Sequence, residues 1–160
     1  MLNTWLDNNF QRIVKIRRWL HQHPEVGFNE FETSQYCMKI MEKAGYDVIQ
    51  NHKMKTGFYC DYGSGSGATL AVRCDLDALP ISEINTFDFC SINKGVSHAC
   101  GHDSHMANVL GLAIYIAETG LEIPGCLRFI FQPAEEIAPG GAVTMMDAGV
   151  IDDVDHIIGG

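Results

Sequence analysis

Ala68-Thr69-Leu70-Ala71-Val72-Arg73-Cys74-Asp75-Leu76-Asp77 is the stretch on which the fold turns. Residues 68–75 form an apolar run that reads as a strand buried within a sheet, ending in two carboxylates. The preceding Gly63-Ser64-Gly65-Ser66-Gly67 reads as a hairpin turn and lacks the Gly-Lys-Ser/Thr ending of a phosphate loop. Downstream, residues 78–97 have mixed polarity and no period. A helix is predicted from about residue 104 to 118, with Met106, Val109, Leu110, Ala113 and Ile116 facing a core and Gly120 ending it. Cys126–Gln132 is another apolar strand, residues 141–148 a short helix and residues 154–158 the start of a further strand. Upstream, residues 4–22 place Trp5, Ile13, Ile16 and Leu20 at helical spacing, and Pro24 stops that helix. Asn29 followed by Glu32 has the pattern of a capping box. The helix it opens carries Phe31, Tyr36, Ile40 and Ala44 on one side, with Gly45 as C-cap. Residues 46–50 and 56–62 read as short strands. Helices alternating with apolar strands imply a layered α/β domain with a largely parallel sheet flanked by helices.

Composition narrows the function. The 160 residues suffice for one domain with a core, and at 46% hydrophobic and 19% charged they are globular in character. Eleven Lys and Arg against twenty Asp and Glu give a net charge of −9, so no basic footprint for nucleic acid exists, and binding to an anionic membrane is disfavoured. No apolar run approaches a bilayer span and the N-terminus lacks a signal pattern, so a cytoplasmic protein is expected. The six cysteines form no Cys-x-x-Cys pair and are expected to be reduced thiols.

Three clusters could carry chemistry. Asp75 and Asp77 lie at the C-terminal end of an apolar strand, where α/β sheets usually bind ligands, though a strand running into a polar loop would look the same. His98-Ala99-Cys100-Gly101-His102-Asp103-Ser104-His105 packs metal-ligand side chains densely. Cys100 and His102 are two apart, so an extended backbone projects both to one side. Asp103 or Ser104 could cap the following helix, and His105 falls on its first turn. In Gln132-Pro133-Ala134-Glu135-Glu136 a strand runs into paired carboxylates whose repulsion a cation would relieve. One of them could ligate while its neighbour faces a water. His21-Gln22-His23-Pro24-Glu25 fits a helix terminus better than a ligand set.

Together these stretches resemble the di-metal aminoacylase and carboxypeptidase-like amidohydrolases. The branch is the one with hippurate hydrolase, bacterial N-acyl-amino-acid amidohydrolases and plant auxin-conjugate hydrolases. The resemblance runs from about residue 12 to the end. It rests on residues 17–25, on 75–81, on His98 through Asp103, on 132–136, and on Gly140-Gly141-Ala142 with Met145, in the family's order. It implies a zinc-exopeptidase-like catalytic domain that hydrolyses the amide bond of N-acyl amino acids or small peptides. It further implies two divalent ions, zinc or manganese, with cobalt or nickel as alternatives. Carried over, Cys100 is the bridging ligand, His102 and Glu136 are further ligands, and Glu135 is the general base on a metal-bound water. Asp75 is carried over as the second catalytic residue: it matches an acid that elsewhere follows a ligand histidine by two residues, a histidine replaced here by Arg73, with His102 supplying the missing coordination. Members of this family carry two more ligand histidines and a lid and dimerisation domain, none of which is matched here, His156 included. Residues 1–160 are therefore expected to be the N-terminal portion of the catalytic domain of a homodimeric enzyme. A catalytically inactive remnant, acting as a metal-binding or interaction module, is the alternative.

Overall fold

The computed structural model describes residues 2–63 and 66–160. Along the chain come α1 (Leu2–Gln22), α2 (Phe31–Lys43), a short 3-10 turn (His52–Met54), β1 (Phe58–Gly63) and β2 (Thr69–Asp75). They are followed by α3 (His102–Thr119), β3 (Cys126–Gln132), α4 (Gly141–Asp147) and β4 (His156–Gly159).

The four strands form one sheet in the order β1-β3-β2-β4. β2 runs parallel to both β3 and β4, and β1 is antiparallel to β3, so the sheet is mixed and mostly parallel. The register sets Asp75 of β2 beside Gln132 of β3, which brings the C-terminal ends of the two central strands together. The main core contains Leu20 of α1, Cys37 and Met41 of α2, Met106, Leu110 and Ile114 of α3, and Phe58, Phe129 and Phe131 of the sheet. A smaller cluster, Met54, Ala71, Ile130, Met145 and Val150, forms around α4. α3 is buried on most of its circumference, as its near-continuous apolar sequence requires. Arg128 is buried in β3, where its guanidinium bonds Asp61 at 2.7 and 2.8 Å and the Val150 carbonyl at 2.7 Å. Those partners satisfy a charge that burial would otherwise make costly.

Four expectations change. Residues 46–50 are not a strand, because among the described residues their only ladder contact is the single pairing of Ile49 with Tyr59. The capping box does not form. Glu25 reaches the first turn of α2 instead, its carboxylate accepting from the N–H groups of Glu32 (3.2 Å) and Thr33 (2.8 Å). That satisfies the helix's free donors as an N-cap side chain would and places negative charge at the positive end of the dipole. Phe31 is 66% exposed, and the buried side of α2 is Thr33, Ser34, Cys37 and Met41. β1 and β2 flank β3 and do not pair with each other; Ser64 and Gly65 of the glycine-serine run lie outside the described residues.

Candidate metal centre

Three segments meet at the C-terminal ends of β2 and β3. The first leaves β2. Leu76 N–H donates to the Gln132 carbonyl (2.8 Å), Ala78 N–H donates to the Glu25 carbonyl (2.7 Å), and Leu79 pairs with Ser97. Asp77, between these anchors, is fully buried.

The second segment opens α3. Gly101 takes φ +100°, a left-handed conformation that glycine adopts without strain, and His102 is the first helical residue. The predicted caps do not form. Ser104 Oγ donates to the Gly101 carbonyl at 2.6 Å. Asp103 is buried, its Oδ2 lying 2.7 Å from both Arg17 Nε and His21 Nδ1. His21 Nε2 lies 3.0 Å from Glu83 Oε1. His21 is thus a buried link between α1, α3 and the loop that joins β2 to α3. Burial works against the Glu83 charge, but bonds from Ser91 N–H, Asn85 and His21 bring its pKa down to about 2. A carboxylate depressed in the folded state contributes stability above its unfolded pKa, near 4.5, and loses it as pH falls toward 2. The unfolding midpoint of Glu83→Gln is therefore expected to fall less steeply than wild type between pH 4.5 and 2. Parallel profiles in denaturant titrations would contradict this. His98 is buried with neither ring nitrogen hydrogen-bonded among the described residues, and burial holds its pKa near 4, so it is neutral at pH 7.

The third segment follows β3. Ala134 has φ +46°, its N–H donates to buried Glu30 (2.7 Å), and its carbonyl accepts from Gly141 N–H (2.9 Å). This tight turn presents Glu135 and Glu136 to the cluster.

His102 stands at the centre. Its Nε2 is 3.8 Å from Asp75 Oδ2, 3.8 Å from Glu135 Oε2 and 3.9 Å from Glu136 Oε1. Its Nδ1 is 3.0 Å from the Asp77 carbonyl and 3.4 Å from Asp77 Oδ1. Cys100, His102 and Glu136 each offer a ligand atom within 4.8 Å of the others. A second, overlapping group joins His102 to Asp75 and His105, with His105 Nδ1 3.6 Å from Asp75 Oδ2. Arg73 is not part of either group; its guanidinium contacts Asp75 and, through Nε, Gln132 at 3.1 Å. His105 and Asp77 are missing from the predicted ligand and catalytic residues. The spacing of His102 and His105, three apart on one helix, was the available signal for the former.

The electrostatics favour a cation. Burial opposes charge on His102, yet the bond to Asp77 and the nearby Cys100 and Asp75 raise its pKa to about 11. Asp75 is pushed up by burial, with Arg73 and His102 lowering it and Glu135 and Asp77 raising it. With no metal the imidazole proton is the cation of the cluster, and a bound ion would replace it. Thiolate, imidazole and carboxylate together suit a transition metal or zinc, whereas calcium or magnesium would call for oxygen throughout. The residues present fit such an ion.

Residues 71–160 match Peptidase family M20/M25/M40. The chain belongs to this peptidase family. Among its relatives, the N-acyl-L-amino acid amidohydrolase of Geobacillus stearothermophilus is 44% identical over 147 residues, covering 92% of this chain and 40% of the relative. The N-acetylcysteine deacetylase of Bacillus subtilis is 41% identical over 149 residues, covering 92% and 39%. A solved Bacillus subtilis member, described as a dinuclear metal-binding peptidase of the M20 family, superposes with a TM-score of 0.87 at 41% identity, covering 93% of this chain and 42% of that one. The chain spans about 40% of the length of the curated relatives it matches. Human carnosine dipeptidase 1, at 12% identity and a TM-score of 0.74, shares the fold. Among the described residues no helix is long and apolar enough to cross a membrane.

Proposed function

We propose that the intact protein hydrolyses the amide bond of N-acyl amino acids with divalent metal ions. The observation that carries this reading is the convergence of Cys100, His102 and Glu136, with Glu135 beside them, in a chain whose relatives include an amidohydrolase and a deacetylase. Residues 1–160 are then the N-terminal portion of the catalytic domain. A lid and dimerisation domain, the remaining ligands and the dimer contacts lie elsewhere in that protein, which works in the cytoplasm.

Cys100, His102 and Glu136 would hold the metal, zinc or manganese first, cobalt or nickel as alternatives. When bound, the ions polarise the amide carbonyl and make water easier to deprotonate. Glu135 takes the proton from the attacking water and returns it to the departing amine nitrogen. The carbon–nitrogen bond breaks, leaving the acyl group as a carboxylate and the amino acid with a free amine. Asp75, 1% exposed and 3.8 Å from His102, is the second catalytic residue of this reading.

The test is hydrolysis of N-acetyl and N-benzoyl amino acids by the metal-loaded intact protein, with metal content measured alongside. Release of free amino acid is expected, and Cys100→Ser is expected to lower the metal stoichiometry. Unchanged stoichiometry would remove Cys100 from the ligand set. Metal binding without turnover of any acylated amino acid would leave a metal-binding module instead of an enzyme.

A further inference from the structure

Pro133 has no N–H, so the first main-chain donor past the end of β3 is that of Ala134. Ala134 is fully buried, and its N–H needs a partner inside the protein. The partner is Glu30, 104 residues earlier in the chain, whose Oε1 accepts it at 2.7 Å. Glu30 is itself fully buried. Its other oxygen, Oε2, accepts the Thr56 hydroxyl at 2.5 Å. We propose that Glu30 is a positioning residue for Glu135: its buried carboxylate binds the Ala134 N–H and fixes the left-handed turn from which Glu135 projects toward the metal centre. The inference rests on the function proposed above.

Glu30 is a fixed point. It stands at the N-cap of α2, and its carbonyl accepts the Ser34 N–H at 2.9 Å. Ser34 Oγ in turn donates to the Thr56 carbonyl at 2.6 Å, which ties the start of α2 to the loop before β1. Ala134 needs such a support. Its φ of +46° is left-handed, where a residue with a Cβ is strained and persists only when its surroundings hold it there. The segment before Glu30 closes on the same turn, since a Cβ at Gly27 would lie 3.0 Å from both Cα and Cβ of Ala134. The two acids that follow are supported differently. The Glu136 N–H bonds the Asp77 carboxylate at 2.9 Å, so this residue has an anchor of its own. The Glu135 carboxylate is 44% exposed and makes no hydrogen bond among the described residues, His102 Nε2 lying 3.8 Å away. Its direction is therefore set by the backbone of the turn. Burial raises the pKa of Glu30 above the usual carboxylate value, and bonds from Thr56 and from the backbone of Glu30, Ala134 and Phe28 only partly offset it. An apolar side chain would avoid that cost but would leave the Ala134 N–H unpaired in the interior. The turn requires the acceptor at Oε1, which a glutamine also supplies.

The experiment measures kcat, KM and metal content for the metal-loaded intact protein and its Glu30→Ala and Glu30→Gln variants on N-acetyl amino acids, with thermal melting alongside. Hydrogen exchange of the Ala134 amide is followed in wild type. Glu30→Ala is expected to lose about 100-fold in kcat with KM and metal content unchanged, the effect of displacing a reacting group by about 1 Å. Glu30→Gln is expected to recover most of that loss, and the Ala134 amide to exchange slowly. A lower melting temperature in Glu30→Ala with kcat unchanged would make Glu30 merely structural and overturn the inference. So would a kcat loss matched by a loss of metal, which would place the effect at Glu136, and so would equal losses in the two variants. Should neither variant fold, exchange of the wild-type Ala134 amide at the rate of a solvent-exposed one overturns the inference, and slow exchange upholds the bond on which it rests. If wild type hydrolyses no acylated amino acid, the proposed function falls and this inference with it. If wild type turns over and Glu30→Ala does so equally well, this inference falls alone.

Discussion

Glu135→Gln in the intact protein is expected to keep its metal and to lose hydrolysis by about 10²- to 10⁴-fold in kcat. The amide has the shape of the carboxylate but cannot accept a proton from water. Glu135 Oε2 lies 3.8 Å from His102 Nε2 with the side chain 44% exposed, so it borders the cluster while remaining open to solvent. Glu136 is placed differently. Its N–H is tied to Asp77, and its carboxylate completes the group with Cys100 and His102. Glu136→Gln is therefore expected to shed metal first and activity as a consequence. Metal analysis beside steady-state kinetics separates the two. Robust turnover by Glu135→Gln would end its assignment as the base.

Gly141→Ala is expected to be the most damaging single-methyl change. A Cβ there would sit 1.9 Å from the Pro133 carbonyl oxygen and 2.7 Å from its carbonyl carbon. Both are backbone atoms, so relief requires moving the turn between β3 and α4. That turn also depends on Gly141 N–H bonding the Ala134 carbonyl at 2.9 Å. A loss of about 2–4 kcal/mol is expected, in the range of overpacking combined with a lost hydrogen bond. Urea unfolding measures it. Metal affinity should fall in parallel, because the displaced turn carries Glu135 and Glu136. As a comparison, a Cβ at Gly45 meets nothing within 4 Å, and Gly45→Ala should cost only the strain of its φ of +95°, about 1 kcal/mol. Equal midpoints for Gly141→Ala and wild type would show that the turn yields freely.

The β2 and β3 strands were legible because each is a continuous apolar run, and β3 spans Cys126–Gln132 as predicted. α3 was legible from its apolar spacing, but it begins at His102, ahead of the predicted residue 104, because Gly101 and not a polar cap opens it. The cap of α2 was misread for a tertiary reason: its first-turn N–H groups bond Glu25, which sequence spacing cannot distinguish from a loop residue. At the site, density marked two clusters, the family resemblance singled out Cys100, His102, Glu135 and Glu136 within them, and the fold brings these four together. The partners behind them were less visible. Glu30 beneath the Glu135 turn and Asp103 against His21 are acids buried by long-range packing. Nothing in the local sequence separates them from acids that stay in water.

The bonds of Asp77 to His102 and Glu136 also have a temporal consequence. They cross 25 and 59 residues, and the second, which joins the segment after β2 to the segment after β3, needs β3 beside β2. A chain still being synthesised therefore carries Asp77, Cys100 and His102 before it has made Glu136, and lacks the assembled donor set. On the proposed reading, metal capture comes after folding of the sheet and not before it. A thiophilic ion that grips Cys100 on the nascent chain would meet none of the geometry that selects for the right one.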